Sequence, residues 1–287
     1  MNTQIIDPNR KYKRIFCFGC SFTNYGWPTW PTILALIFPD AQVFNYGYPG
    51  AGNMYIFSAI NTTIREQNID PAHDLIMVMW TNTQRMDHFT VEAQPWALWR
   101  TEGDFFNRED YPEDYDPQFC YFRDLNLISA MNQLLNHYYP NTITCAMEDL
   151  HLENFCKKTV WDDLVESQFS DILQQYKDCN IMDFISGSRE EKYLELLYAS
   201  PGHLDSHPFP TEHLKYLEEL GFTATDEARK IVEEWEEITL DFLNKDYYPK
   251  GDLFQAPRYD LLKKRISYPS NYQELNILED SQQNAGS

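Results

Sequence analysis

Arg14-Ile15-Phe16-Cys17-Phe18-Gly19 decides the fold, and Cys20-Ser21-Phe22-Thr23 follows it directly. Residues 14–19 form a short apolar run closed by glycine, the pattern of a strand buried on both faces of a parallel sheet. Outward from it, Trp30 to Phe38 reads as a helix and Gln42 to Tyr46 as a second strand. Gly50 to Gln67 is helical in pattern after a glycine-rich turn, and Asp74 to Trp80 (DLIMVMW) is a third buried strand. Strands separated by helices require right-handed crossovers. The expected fold is therefore α/β, a three-layer α/β/α sandwich around a parallel, flavodoxin-like sheet.

From Arg85 to about Gln118 the alternation breaks. This stretch sets Phe89, Trp96, Trp99, Phe105, Phe106, Tyr111 and Tyr115 among prolines and acidic residues. It is too long for an ordinary connection and reads as an insertion over one edge of the sheet. A helix over Phe119 to Tyr138 and a strand over Thr142 to Met147 resume the alternation. Leu164 to Tyr176 reads as a further helix and Asn180 to Phe184 as a last strand. Thr211 is placed to cap a helix running to Leu220, before Gly221. The next helix gathers Ala228, Ile231, Val232, Trp235, Ile238, Thr239 and Phe242 on one face. Glu233, Glu234, Glu236 and Glu237 read as its solvated side. Residues 1–245 are thus expected to form the domain and 246–287 a C-terminal extension with little periodicity, its SQQNAGS end disordered.

Composition narrows the function. With 23 Lys+Arg against 44 Asp+Glu the formal charge is -21, which disfavours nucleic acid and anionic membranes as partners. No apolar stretch is long enough to span a bilayer, and the first residues lack the apolar run of a secretory signal. A cytoplasmic location is expected. The cysteines at 17, 20, 120, 145, 156 and 179 include no zinc-site spacing and read as reduced thiols. No cofactor and no metal are expected.

Four features carry chemistry, and in an open parallel sheet they converge beyond the carboxyl ends of the strands. Gly19-Cys20-Ser21-Phe22-Thr23 puts a serine at a turn, where its hydroxyl can sit beside backbone N–H groups able to hold an oxyanion. The plain alternative is a turn serine capping a helix. Asn45 to Asn53 (NYGYPGAGN) offers the N–H of Gly50 to the same oxyanion, or is simply a glycine-rich turn. Asn82, after the third strand, can donate its amide there or cap a helix. Late in the chain, His203-Leu-Asp205-Ser-His207-Pro208 supplies an imidazole base and a carboxylate to orient it.

In this order the four features resemble the SGNH (GDSL-type) hydrolase family. Gly19, Ser21 and Thr23 match its first block, Gly50 its second, Asn82 its third, and Asp205, His207 and Pro208 its last. The resemblance spans roughly residues 14 to 220. It implies an esterase with Ser21 as nucleophile, His207 as base and Asp205 as orienting acid. The implied oxyanion donors are the N–H groups of Ser21 and Gly50 and the side chain of Asn82. The chain departs from the pattern at Cys20, where the family has Asp, and at Trp80 and Thr83, which stand for the usual Gly and Asp. Its last block has a single residue between Asp205 and His207.

Other readings stay open. Cys20 can itself be a nucleophile if a helix N-terminus activates its thiolate. His203, Asp205 and His207 alternate as metal ligands would in an extended segment. A catalytically degenerate fold used for glycan binding or assembly is the non-enzymatic reading. For substrate, Trp27 and Trp30 near the serine, with Trp96 and Trp99 in the insertion, offer flat faces for sugar rings. They equally suit packing of the insertion. The expected substrate is a short acyl ester, such as acetyl, on a glycan or small alcohol; the oligomeric state is left undetermined.

Overall fold

The computed structural model describes residues 10–83, 85–89, 99–102, 117–151, 160–177, 179–186, 207–244, 262 and 265–268. Strand β1 (Arg14–Phe18) lies between β2 (Gln42–Asn45) and β3 (Asp74–Trp80), parallel to both. Ile15 pairs with Val43 on one side and Leu75 on the other. Strand β6 (Thr142–Ala146) adds to β3, and β7 (Ile266–Ser267) adds to β2, again in parallel. The sheet order is β6-β3-β1-β2-β7.

Alternation along the strands builds two separate cores, because successive side chains leave opposite faces. Ile15, Cys17, Leu75, Met77 and Met79 pack on one face with Trp30, Ile33 and Leu34 of α1 (Trp30–Ile37). Val232 and Trp235 of α8 (Asp226–Asn244) join them, as does Leu217 of α7 (Pro210–Glu219). Phe16, Phe18, Ile76, Val78 and Trp80 pack on the other face against α2 (Asn53–Gln67) and α3 (Pro117–Tyr138), through Ile56, Ile60, Tyr121, Leu125 and Ile128. The fold is thus the expected three-layer α/β/α sandwich. On that second face Phe16 stacks on Phe44 at 4.9 Å and Phe18 on Tyr46 at 5.0 Å, tying β1 to the exit of β2. Among the described residues no helix is long and apolar enough to cross a membrane, and no cluster of metal-ligating side chains occurs.

Four expectations are corrected. The helix expected over Leu164 to Tyr176 is two, α4 (Val160–Gln168) and α5 (Ser170–Lys177), meeting at the buried Phe169. The strand expected over Asn180 to Phe184 is a single bridge, Ala146 to Asn180, followed by helix α6 (Ile181–Ser186). Asn180 accepts the N–H of Asp183 at 2.8 Å, which starts a helix and ends any ladder. The N-cap of α7 is Phe209, not Thr211, and the Glu212 carboxylate accepts the Phe209 N–H at 2.8 Å. Thr211 instead donates its N–H and hydroxyl to Glu236, which is therefore buried rather than part of a solvated face.

Two findings extend the expected outline. Within the insertion, β4 (Met86–Phe89) and β5 (Trp99–Glu102) form an antiparallel pair outside the main sheet. Within the C-terminal segment, β7 becomes the fifth strand of the sheet, and Arg265 beside it donates to the carbonyl of Ala35 in the last turn of α1 and to that of Pro39 just after it.

Candidate active site

The strand order reverses at β1, and in an open parallel sheet ligands bind at such a reversal, beyond the carboxyl ends of the strands. Ser21 leaves β1 there, Gly50 follows β2 and Asn82 follows β3. The serine does not start a helix. Residues 20–24 form one isolated turn, with the N–H groups of Thr23 and Asn24 on the Cys20 carbonyl at 2.9 and 3.2 Å. Helix α1 begins only at Trp30.

Thr23 explains the spacing of its block. A Cβ at Gly19 would overlap the Thr23 side chain, and one at Gly47 would come within 2.6 Å of Thr23 Cβ. Asn45 donates to the Thr23 carbonyl at 3.0 Å and accepts the Gly47 N–H at 2.9 Å. Thr29 Oγ1 reaches the same carbonyl at 2.7 Å. The Ser21 turn is therefore wedged between two glycines and tied to the exit of β2.

His207, 186 residues further on, places Nε2 at 2.7 Å from Ser21 Oγ. Its ring stacks on Tyr25 at 3.7 Å and 11°, with Phe22 at 5.0 Å. An imidazole held in plane by aromatic neighbours keeps its nitrogen aimed at the hydroxyl. Trp27 Nε1 donates to the Pro208 carbonyl at 2.8 Å and stacks on Phe209 at 5.9 Å, fixing the backbone that follows His207. His213 of α7 is fully buried; burial first, then the His207 charge, lowers its pKa to about 3. It stays neutral near neutral pH, whatever the charge state of His207.

Trp27 and Trp30 are both corrected as sugar platforms. They are 1% and 0% exposed, so Trp27 braces the histidine segment and Trp30 fills the core. Asp205 and His203 lie outside the described residues, as does Trp96; of Trp99 the structure describes the β5 backbone. Cys20 Sγ is fully buried and meets Met147 Sδ at 3.7 Å, while the adjacent Ser21 faces His207.

Gly50 has φ 78° and follows Pro49 in a turn closed by the Ala51 N–H on the Tyr48 carbonyl at 3.0 Å. Proline then a left-handed residue is the pattern of a type II turn, which glycine alone fits without strain. Among the described residues, neither the Ser21 nor the Gly50 N–H donates within the backbone. Asn82 is buried at 5% exposure.

The sequence reading missed the polar frame behind these loops. Asn53, at the start of α2, donates to the Thr81 carbonyl at 3.0 Å and to Asp124 Oδ2 at 2.9 Å, and accepts the Thr81 N–H at 3.0 Å. Arg123 binds Asp124 Oδ1 at 2.7 Å and the Arg85 carbonyl at 2.9 Å. Arg85 in turn donates to the Ala51 carbonyl at 3.0 Å. Asp87 of β4 caps α2 through the N–H groups of Gly52 and Tyr55 at 2.8 and 2.7 Å. Burial raises the pKa of Asp87, against those N–H groups and the charges of Arg123 and Arg85. Burial likewise pushes Asp124 up to about 7, with Arg123 and Asn53 pulling it back. One signal was present: Asp124 shares the apolar helical face of Tyr121, Leu125 and Ile128, where a carboxylate has no place without partners.

No family model matches the sequence, and no curated protein matches it. Among solved structures, the chain is similar to a member of the lipolytic protein G-D-S-L family from Veillonella parvula, at 15% identity and TM-score 0.37, over 72% of this chain and 97% of that one. It is also similar to a catalytic mutant of an acetylxylan esterase from Geobacillus stearothermophilus, at 13% identity and TM-score 0.36, over 75% of this chain and 97% of that one.

Proposed function

We propose that the chain is a serine ester hydrolase in which Ser21 attacks the carbonyl and His207 removes the serine proton. One observation carries this reading: Ser21 Oγ lies 2.7 Å from His207 Nε2, within the reach a general base needs. The same imidazolium then protonates the leaving alcohol, and water repeats the cycle on the acyl enzyme. Asp205, two residues before His207 in the same segment, is assigned to hold the imidazole in its productive tautomer.

The developing oxyanion is assigned to the N–H groups of Ser21 and Gly50 and to the amide of Asn82. Three loops leaving three adjacent strands carry these donors, which supports a preformed hole. The substrate we propose is a short acyl ester, such as acetyl, on a neutral glycan or small alcohol. With a formal charge of -21 the protein repels anionic acyl groups, which favours neutral ones.

The test is hydrolysis of nitrophenyl esters of increasing acyl length by the wild type and Ser21→Ala. Turnover should be fastest on acetyl and fall on chains of about eight carbons. Losing a nucleophile lowers kcat by several orders of magnitude, so S21A should be inert with an unchanged melting temperature. Near-normal turnover by S21A would remove the nucleophile assignment.

A further inference from the structure

The oxyanion assignment leaves a physical question: what holds the Asn82 loop in register with the Gly50 loop? The two follow different strands and no main-chain ladder joins them. Asn53 stands between them. It is the third residue after Gly50, and its carboxamide meets both the carbonyl and the N–H of Thr81, the residue before Asn82. A side-chain amide that meets one residue's N–H and C=O at once holds the two peptide groups on either side of that residue, here Trp80–Thr81 and Thr81–Asn82.

The orientation of Asn53 is itself imposed. Its Nδ2 also donates to Asp124 Oδ2 at 2.9 Å, so a flipped amide would set an oxygen against a carboxylate and a nitrogen against the Thr81 N–H. Asp124 has no exposure, and Arg123 occupies its second oxygen. Asn53 has none either. The bonds that join Asn53 to Thr81 and to Asp124 are therefore shielded from water, where an unmade one is costly. Arg123 continues to the Arg85 carbonyl, so neighbouring residues of α3 reach Thr81, through Asn53, and Arg85 directly.

We propose that Asn53, locked by Asp124, is a positioning residue of the oxyanion hole, setting the place of the Asn82 amide by clasping the main chain on both sides of Thr81. The proposal rests on the ester-hydrolase reading above. Asn53 acts through Asn82 and touches no reacting atom. Its loss lets the donor wander, which weakens the transition state more than the ground state. The signature is a lower kcat at unchanged KM.

A double-mutant cycle tests it, with nitrophenyl acetate as the probe. Asn53→Ala should lower kcat on the order of 10-fold, a fraction of the 10²–10³ that a lost oxyanion donor costs. KM should stay within about twofold. In an Asn82→Ala background the same substitution should lower kcat by less than about twofold, because residues acting as a unit are not additive. Asp124→Asn, which keeps the side-chain shape and removes the charge, is measured in the same cycle and should give the same non-additivity. It stands in where N53A does not fold. Equal losses in both backgrounds, or a folded N53A and D124N with wild-type kcat, would overturn the positioning role while the hydrolase reading survives. A wild type inert on every ester overturns the hydrolase reading, and the positioning role with it.

Discussion

At the residue scale, Asp124 and Asn53 lie behind the candidate chemistry rather than in it. Both are fully buried, and their side-chain bonds run to Thr81, to Arg123 and to each other. Such groups are kept only where every lone pair and proton is used, since an unpaired one costs more than an apolar replacement. The pKa of Asp124 turns this into a measurable slope. Burial raises it from the usual carboxylate range to about 7, so the folded state holds this proton more tightly than the unfolded chain. Its stabilising contribution is full below the unfolded value and is lost as pH rises through the folded one. Urea unfolding from pH 4 to pH 8 should therefore show the wild type losing stability relative to Asp124→Asn as pH rises. A difference that stays flat, or grows in favour of the wild type, would contradict a buried carboxylate raised in this way.

At the scale of elements, legibility followed burial. Strands β1 and β3 were readable because a strand covered on both faces is a continuous apolar run with no helical period to compete. Asn180 to Phe184 misled for the same reason. Ile181 and Ile185 are buried at helical spacing, and an apolar run this short fits either period until Asn180 is seen to cap a helix. Strand β7 was beyond reading, because two residues become a strand only through their partners Val43 and Phe44. Of the candidate site, the loops carrying Ser21, Gly50, Asn82 and His207 were legible from their order. The Asn53–Asp124 frame was not, because its members are 71 residues apart and meet only through α2 and α3. Arg265 shows how a distant segment serves a local end. It donates to the Ala35 and Pro39 carbonyls, capping the C-terminus of α1. Arg265→Ala should lower unfolding free energy by about 1–3 kcal/mol, the usual cost of charge-assisted bonds. Denaturant titration reads this directly, and an unchanged midpoint would show that the helix end needs no such cap.

At the scale of the whole molecule, two independent cores hold a parallel sheet rigid while its carboxyl end supplies loops from adjacent strands. The scaffold brings Ser21 and His207 together across 186 residues, and the aromatic setting of Tyr25, Phe22 and Trp27 keeps the imidazole aimed. Such a pair has a chemical signature that needs no knowledge of the natural substrate, because a serine activated by a base attacks phosphorus as it attacks a carbonyl. The deciding measurement is peptide mapping by mass spectrometry after treatment with a fluorophosphonate. One adduct per chain is expected, on Ser21, at a rate that collapses in His207→Ala. An unlabelled protein, or an adduct carried by Cys20, would contradict it.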